Sequence, residues 1–318
     1  MMISKRVFVF FSALTLLLFT SCNTPTASQE ESSSLSGKSQ TAPKARALPD
    51  SFNNYWYNGE AEISVYELSQ ARYGELREGH ASMIFVTEPF NPKKLVKSNQ
   101  ASEQDVSVLK LNFTRKFNTG IYPYSTMVSS FVPVQQQGHA LKVSTSVQEW
   151  CGQIYSELRN PGGGDYEVDL YSYFEDETQT GVALPKNTLE NELWNLVKLS
   201  PENLPEGDLK VVPSFLYLRL MHKPMQAYPA EAQKSSRGDT ITYQLHYPDL
   251  KRTLEIHFDA HFPHQIWSWK DSHPSGFGDA KKILTTTATL KSTYKGAYWS
   301  QNSNADSTLR RLLQLHKL

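Results

Sequence analysis

Two cysteines, Cys22 and Cys151, are all that 318 residues contain, too few for a framework of disulfides, so the fold has to rest on an ordinary hydrophobic core. Charge of one sign is also missing: 32 Lys and Arg face 32 Asp and Glu. A chain without a basic excess lacks what a phosphate backbone rewards, which excludes nucleic acid as a partner. Long apolar runs are absent too. Val7 to Phe19 is uncharged but falls short of the roughly 20 residues that a bilayer-crossing helix needs. Among catalytic signatures there is no Gly-x-Ser-x-Gly elbow, no His-Glu-x-x-His helix and no dinucleotide fingerprint. Pro161-Gly162-Gly163-Gly164 lacks the Lys-Ser/Thr of a phosphate loop and reads as a hairpin turn, and Arg237-Gly238-Asp239 reads as a polar turn.

The start of the chain carries the clearest signal. Lys5 and Arg6 precede the apolar run, and Phe19-Thr20-Ser21-Cys22 closes it, an order that fits a secretory leader. The ending resembles a lipobox, in which the cysteine thiol is acylated before cleavage. The expectation is a signal peptide over 1–21 and a lipidated Cys22 that fixes the protein to a membrane of the cell envelope, most simply the outer membrane on its periplasmic side. Several acyl chains on one residue hold durably, at about 0.8 kcal/mol per buried CH₂. Losing Lys5 and Arg6 leaves 32 less 2, or 30, basic residues against 32 acidic ones. Residues 22–50 form the expected tether: Ser, Thr, Ala, Gln and Pro dominate, and such a composition cannot offset its ordering entropy. Gln29-Glu30-Glu31 resembles a short acidic surface-export signal, which keeps display on the outer face as the alternative.

Residues 51–318 read as one β-rich domain. Runs rich in Val, Thr, Tyr and Phe recur at 62–68, 80–87, 106–114, 125–134, 141–151, 166–174, 211–220, 240–247, 253–262 and 283–294, bounded by turn signals. This pattern predicts a mainly β (α+β) fold: a curved antiparallel sheet, half-barrel or sandwich. One inserted helix is expected after Thr188, with Leu189, Leu193, Leu196 and Val197 on one face and Pro201 as its stop. A short C-terminal helix is expected from Ser307 to Leu318, its leucines packed on the sheet.

The sharpest chemical grouping is His257-Phe258-Asp259-Ala260-His261-Phe262-Pro263-His264. Alternation on a strand sets His257, Asp259 and His261 on one face, about 6.6 Å apart, within reach of a shared Zn²⁺; His264, Asp271 or His273 would complete the set. The competing reading is a solvated strand face, with Leu254, Ile256 and Phe258 turned to the core. Cys151 has no basic residue nearby to activate it and is expected to be a buried, inert thiol. Glu175-Asp176-Glu177 reads as a charged hairpin tip.

Taken with the lipobox-like ending, the stretches Tyr55 to Glu62, Tyr73 to Gly79, Leu109 to Tyr124 and Gln148 to Gly152 resemble a group of exported lipoproteins of Bacteroidota. The resemblance implies export and anchoring and brings no activity with it. Such proteins sometimes carry the label septum formation inhibitor Maf, a name that belongs to cytoplasmic nucleotide pyrophosphatases, whose Ser-Pro-Arg-Arg signature this chain lacks. Three functions are therefore carried forward. The first is a non-enzymatic binding module, holding a lipid or other apolar ligand in the curved sheet without a cofactor. The second is a metal-dependent hydrolase built on His257 and His261. The third is a structural or assembly partner of other envelope proteins.

Overall fold

Sixteen strands form one large curved sheet that does not close on itself. The computed structural model describes residues 44–315, so Cys22, the leader and the tether as far as residue 43 lie outside the described residues. In chain order the strands are β1 (Ala61–Arg72), β2 (Glu75–Asn91), β3 (Val96–Lys97), β4 (Val106–Thr119), β5 (Tyr122–Pro133), β6 (Lys142–Glu149), β7 (Gly152–Arg159) and β8 (Tyr166–Tyr171). They continue with β9 (Gln179–Leu184), β10 (Thr188–Leu189), β11 (Gly207–Val212), β12 (Tyr228–Arg237), β13 (Thr240–Tyr247), β14 (Arg252–Asp259), β15 (Ile266–Ser275) and β16 (Lys282–Gly296). Four short helices join them: α1 (Phe52–Trp56), α2 (Glu190–Leu199), α3 (Phe215–Leu220) and α4 (Leu309–Leu312).

The strand order is β10-β11-β12-β13-β14-β15-β16-β1-β2-β4-β5-β6-β7-β8-β9, with β3 on the flank of β2. The chain thus begins mid-sheet, meanders out to β9, crosses to the opposite edge at β10 and meanders back until β16 pairs with β1. All pairings are antiparallel except β10 with β11, which are parallel. The crossing from β9 to β10 dictates the shape. Laid flat, the 15 strands of this path would separate the two edges by about 67 Å at roughly 4.8 Å per neighbour. Residues 185–187 bridge them, a reach of about 14 Å at most. The sheet therefore has to roll until its edges approach, which makes the half-barrel form the one adopted.

Rolling gives the two faces different fates. Tyr66 and Leu68 of β1, Met83 and Phe85 of β2, Leu109, Leu111 and Phe113 of β4, and Leu254, Ile256 and Phe258 of β14 line the concave interior. The helix α2 runs inside it and is buried nearly all round. Its polar side chains survive there because each has a partner. Glu190 meets Arg252, Glu192 accepts from Leu189 N and Ala140 N, Asn195 bonds Ser130 and Leu109 O, and Lys198 pairs with Glu62 at 2.6 Å.

Local structure departs from expectation in four places. The run 211–220 is a strand only to Val212; after Pro213 and Ser214 it turns into α3, whose Phe215, Leu216, Tyr217 and Leu218 are all buried. Continuous apolar stretches carry no period to separate helix from strand. The short helix α1, which holds Tyr55 ahead of the first strand, was not expected. Residues 44–50, assigned above to the tether, pack on the domain: Ala45 bridges Gln136, and Arg46 is buried among Val134 O, Gln136 O and Ser200 Oγ. The C-terminal helix shortens to α4, preceded by a 3-10 turn over Asn304–Thr308. Leu313 and Leu315 pack beside Ile63, Val65 and Val86 on the convex face.

Candidate functional site

The interior is not filled to its end. A cavity of about 190 Å³ remains among β1, β4, α2, α3, β14 and β15. Register places it at the end of the sheet where β1 turns into β2, β4 into β5, β6 into β7, β8 into β9 and β15 into β16. The β1–β2 turn is Tyr73-Gly74, both at positive φ, the two-residue form whose twist suits a hairpin. A tyrosine at φ 56° is unusual, and here the strain places its ring at the cavity mouth, stacked on Phe277 at 5.4 Å.

Aromatic and aliphatic side chains make most of the wall: Phe113, Val128, Trp194, Leu216, Tyr217, Leu220 and Met221. Its charges are unequal. Arg72, Arg115, Arg252 and Lys281 stand against only Glu190 and Asp271. Both carboxylates are committed to Arg252. Its Nη1 and Nη2 donate to Glu190 at 2.6 and 2.8 Å, and its Nε and Nη2 donate to Asp271 at 2.7 and 2.9 Å. The pairing holds the Arg252 pKa well above its ordinary value although burial opposes it, and Asp271, against the same penalty, stays below the usual carboxylate range.

Arg115 has no such arrangement. Its Nη1 reaches Gln70 Oε1 at 3.5 Å, the limit of a hydrogen bond, and its Nε, shut off from solvent, has no partner among the described residues. The guanidinium lies over the rings of Phe113 (4.7 Å) and Trp269 (5.7 Å). Burial pushes its pKa down to about 10, partly offset by Asp271, so it remains charged at neutral pH. Arg72 is held over the Tyr73 ring at 4.0 Å and donates to Leu220 O, Tyr73 OH and Tyr124 OH. Among the described residues neither Arg72 nor Arg115 forms an ion pair. Two enclosed cations without a carboxylate in contact are costly, and an arginine held by ring faces keeps its donor edge open.

Sequence reasoning passed over Arg115 because the strand expected there ended at Thr114. The signal was present nonetheless. Leu109, Leu111, Phe113 and Phe117 alternate on one face, and Arg115 occupies the remaining position of that face.

The histidine cluster lies elsewhere. His257 and Asp259 do share the convex face of β14, but the strand ends at Asp259 and His261 falls in the following turn. His257 Nδ1 lies 2.9 Å from Thr242 Oγ1, and His261 Nδ1 is 3.1 Å from Asp259 Oδ1. Burial lowers the His257 pKa. Asp271 and His273, offered as further ligands, face the interior on the other side of the sheet. Among the described residues no three His, Cys, Asp or Glu side chains gather as a metal site.

Cys151 corrects an expectation: the thiol is exposed at the β6–β7 turn, not buried. What raises its pKa is the hydrogen bond and charge of Glu149. Glu177 anchors the β8–β9 turn to α3 through Arg219 at 3.1 Å and through His222. A second, wider hollow of about 640 Å³ lies on the convex face beneath the C-terminal segment, where Ser, Thr, Asn and Gln of the sheet face Ile63, Ile84, Tyr294, Leu309 and Leu313. Compared with known protein families, characterised proteins and solved structures, the chain matches none.

Proposed function

We propose that this protein is a lipid-anchored binding protein of the cell envelope that takes a small amphiphilic ligand into the interior of its half-barrel, without catalysing a reaction. The observation that carries this reading is the cavity left between α2, α3 and the concave face, apolar along most of its wall and polar at a few points, as ligand sites commonly are. Its size limits the occupant. A dry cavity of roughly 150 Å³ accommodates benzene, so about 190 Å³ suits a ring or a short chain rather than a whole phospholipid.

The surroundings of the mouth support the reading. The hairpin turns at that end expose Ile121 (84%), Phe277 (70%), Trp150 (67%) and Tyr173 (59%), a rim of the kind that meets an apolar surface. The same rim supports the assembly-partner reading, since an envelope protein could cover it equally well.

Native mass spectrometry on the mature chain, purified gently from an exporting host, tests the proposal. An extra mass of roughly 100–200 Da, the size such a cavity holds, that is lost from a Leu220→Trp variant, which fills the cavity, is the expected result. A bare polypeptide mass in the wild type would overturn it and favour the partner reading, and a stoichiometric zinc mass would favour the hydrolase.

A further inference from the structure

Resting on the binding reading, we propose that the ligand is a small organic acid whose carboxylate is taken by Arg115, with its apolar part toward Tyr217, Leu220 and Phe277. Three observations converge on Arg115. It lies four residues before the end of β4, deeper than Arg72, which ends β1. Its side chain faces the cavity yet makes just one hydrogen bond among the described residues, at 3.5 Å. Its Nε is shut off from water and has no acceptor among the described residues. Arginine presents its donors as a planar fork matched to a carboxylate, and the rings of Phe113 and Trp269 fix the plane of that fork while leaving its edge open.

The neighbouring groups narrow the ligand's charge. Glu190 and Asp271 are both occupied by Arg252 and cannot supply the missing anion. The Nη atoms of Arg72 are already donating to Leu220 O, Tyr73 OH and Tyr124 OH. One open guanidinium matches a monoanion better than the dianion of a phosphate. Gln70 contributes a further polar group next to the fork, its Nε2 being held by Thr286 Oγ1 at 3.1 Å while Oε1 accepts from Arg115. The tail would meet Tyr217 and Leu220 of α3, then the Tyr73–Phe277 stack at the mouth.

Acid and amide pairs of equal shape test this directly. Benzoate with benzamide, hexanoate with hexanamide, palmitate and inorganic phosphate are titrated at fixed ionic strength against the mature chain. The readout is tryptophan fluorescence, since Trp194 lines the cavity and Trp269 touches Arg115. The expected result is that a short acid binds at least tenfold more tightly than its amide, and that Arg115→Gln removes the preference while amide binding is retained. Arg115→Lys, which keeps the charge and loses the fork, should retain part of it. Equal binding of acid and amide would overturn the carboxylate assignment and leave the binding reading standing. Phosphate binding as tightly as the short acids, or palmitate binding alone, would overturn it in favour of those ligands. No binding by any probe would overturn both.

Discussion

Arg252 of β14 grips Glu190, the first residue of α2, through two parallel hydrogen bonds of 2.6 and 2.8 Å, and holds Asp271 of β15 by the rest of its guanidinium. The contact ties the interior helix to the sheet at the place where the chain has just crossed between the two sheet edges. Tyr247 OH adds a fifth hydrogen bond, donating to Glu190 Oε2 at 2.8 Å. All of these groups are buried, so the cluster is expensive to break from either side.

Replacing Arg252 with Met strands two enclosed carboxylates at once. The expected loss is about 3–5 kcal/mol of unfolding free energy, the range for breaking a buried ion pair from one side. Urea unfolding measures it, and a loss under about 1 kcal/mol would contradict the account.

Arg46 makes a comparable claim for the N-terminal edge of the domain. It donates to Val134 O and Gln136 O at 3.0 Å each and reaches Ser200 Oγ beside α2. Arg46→Ala should cost about 1–3 kcal/mol by leaving buried carbonyls unsatisfied. If residues 44–50 were only a tether, the substitution would leave the unfolding midpoint where it is.

His139 introduces a pH dependence whose sign can be worked out. Burial lowers its pKa, but the hydrogen bond from Nδ1 to Glu192 at 2.8 Å and the charge of Glu192 outweigh burial and raise it above 6.5. A raised folded pKa contributes stability that is complete below the unfolded value and vanishes as pH climbs through the folded one. The melting-temperature gap between wild type and His139→Gln should thus be wider near about pH 5.5 than near about pH 8.5. A gap that does not change with pH would show that the imidazole stays neutral.

Cys151 should react fully with a maleimide in the native state, because the thiol is exposed. The reaction should nevertheless be slow near neutral pH, since Glu149 raises the thiol pKa and so reduces the thiolate. Glu149→Gln removes that charge and should accelerate labelling. An unchanged rate would remove Glu149 as the cause.

Alternation along single strands carried much of the fold in advance. Leu254, Ile256 and Phe258 face the core while His257 and Asp259 face out, as period two requires, because successive side chains of a strand point to opposite faces whatever the strand packs against. Of the leucines near the C-terminus expected to pack, Leu313 does so on the convex face, whereas Leu312 stays exposed because α4 ends there. What alternation left open is which charges share a space. Ser64 lies 229 positions from Thr293 yet meets it, because β16 returns to pair with β1.

The sequence by itself determined that the chain is a β protein with alternating faces, and placed turns such as those at 160–165 and 237–239, since these follow from local sterics and the side-chain period. Only the tertiary structure decided that the sheet rolls, that α2 occupies the inside and that Glu190 and Asp271 are both claimed by Arg252. Arg115 is left facing the cavity without a carboxylate for the same reason: ion pairing depends on distances set by strands far apart in the chain, which the short 185–187 crossing forces together.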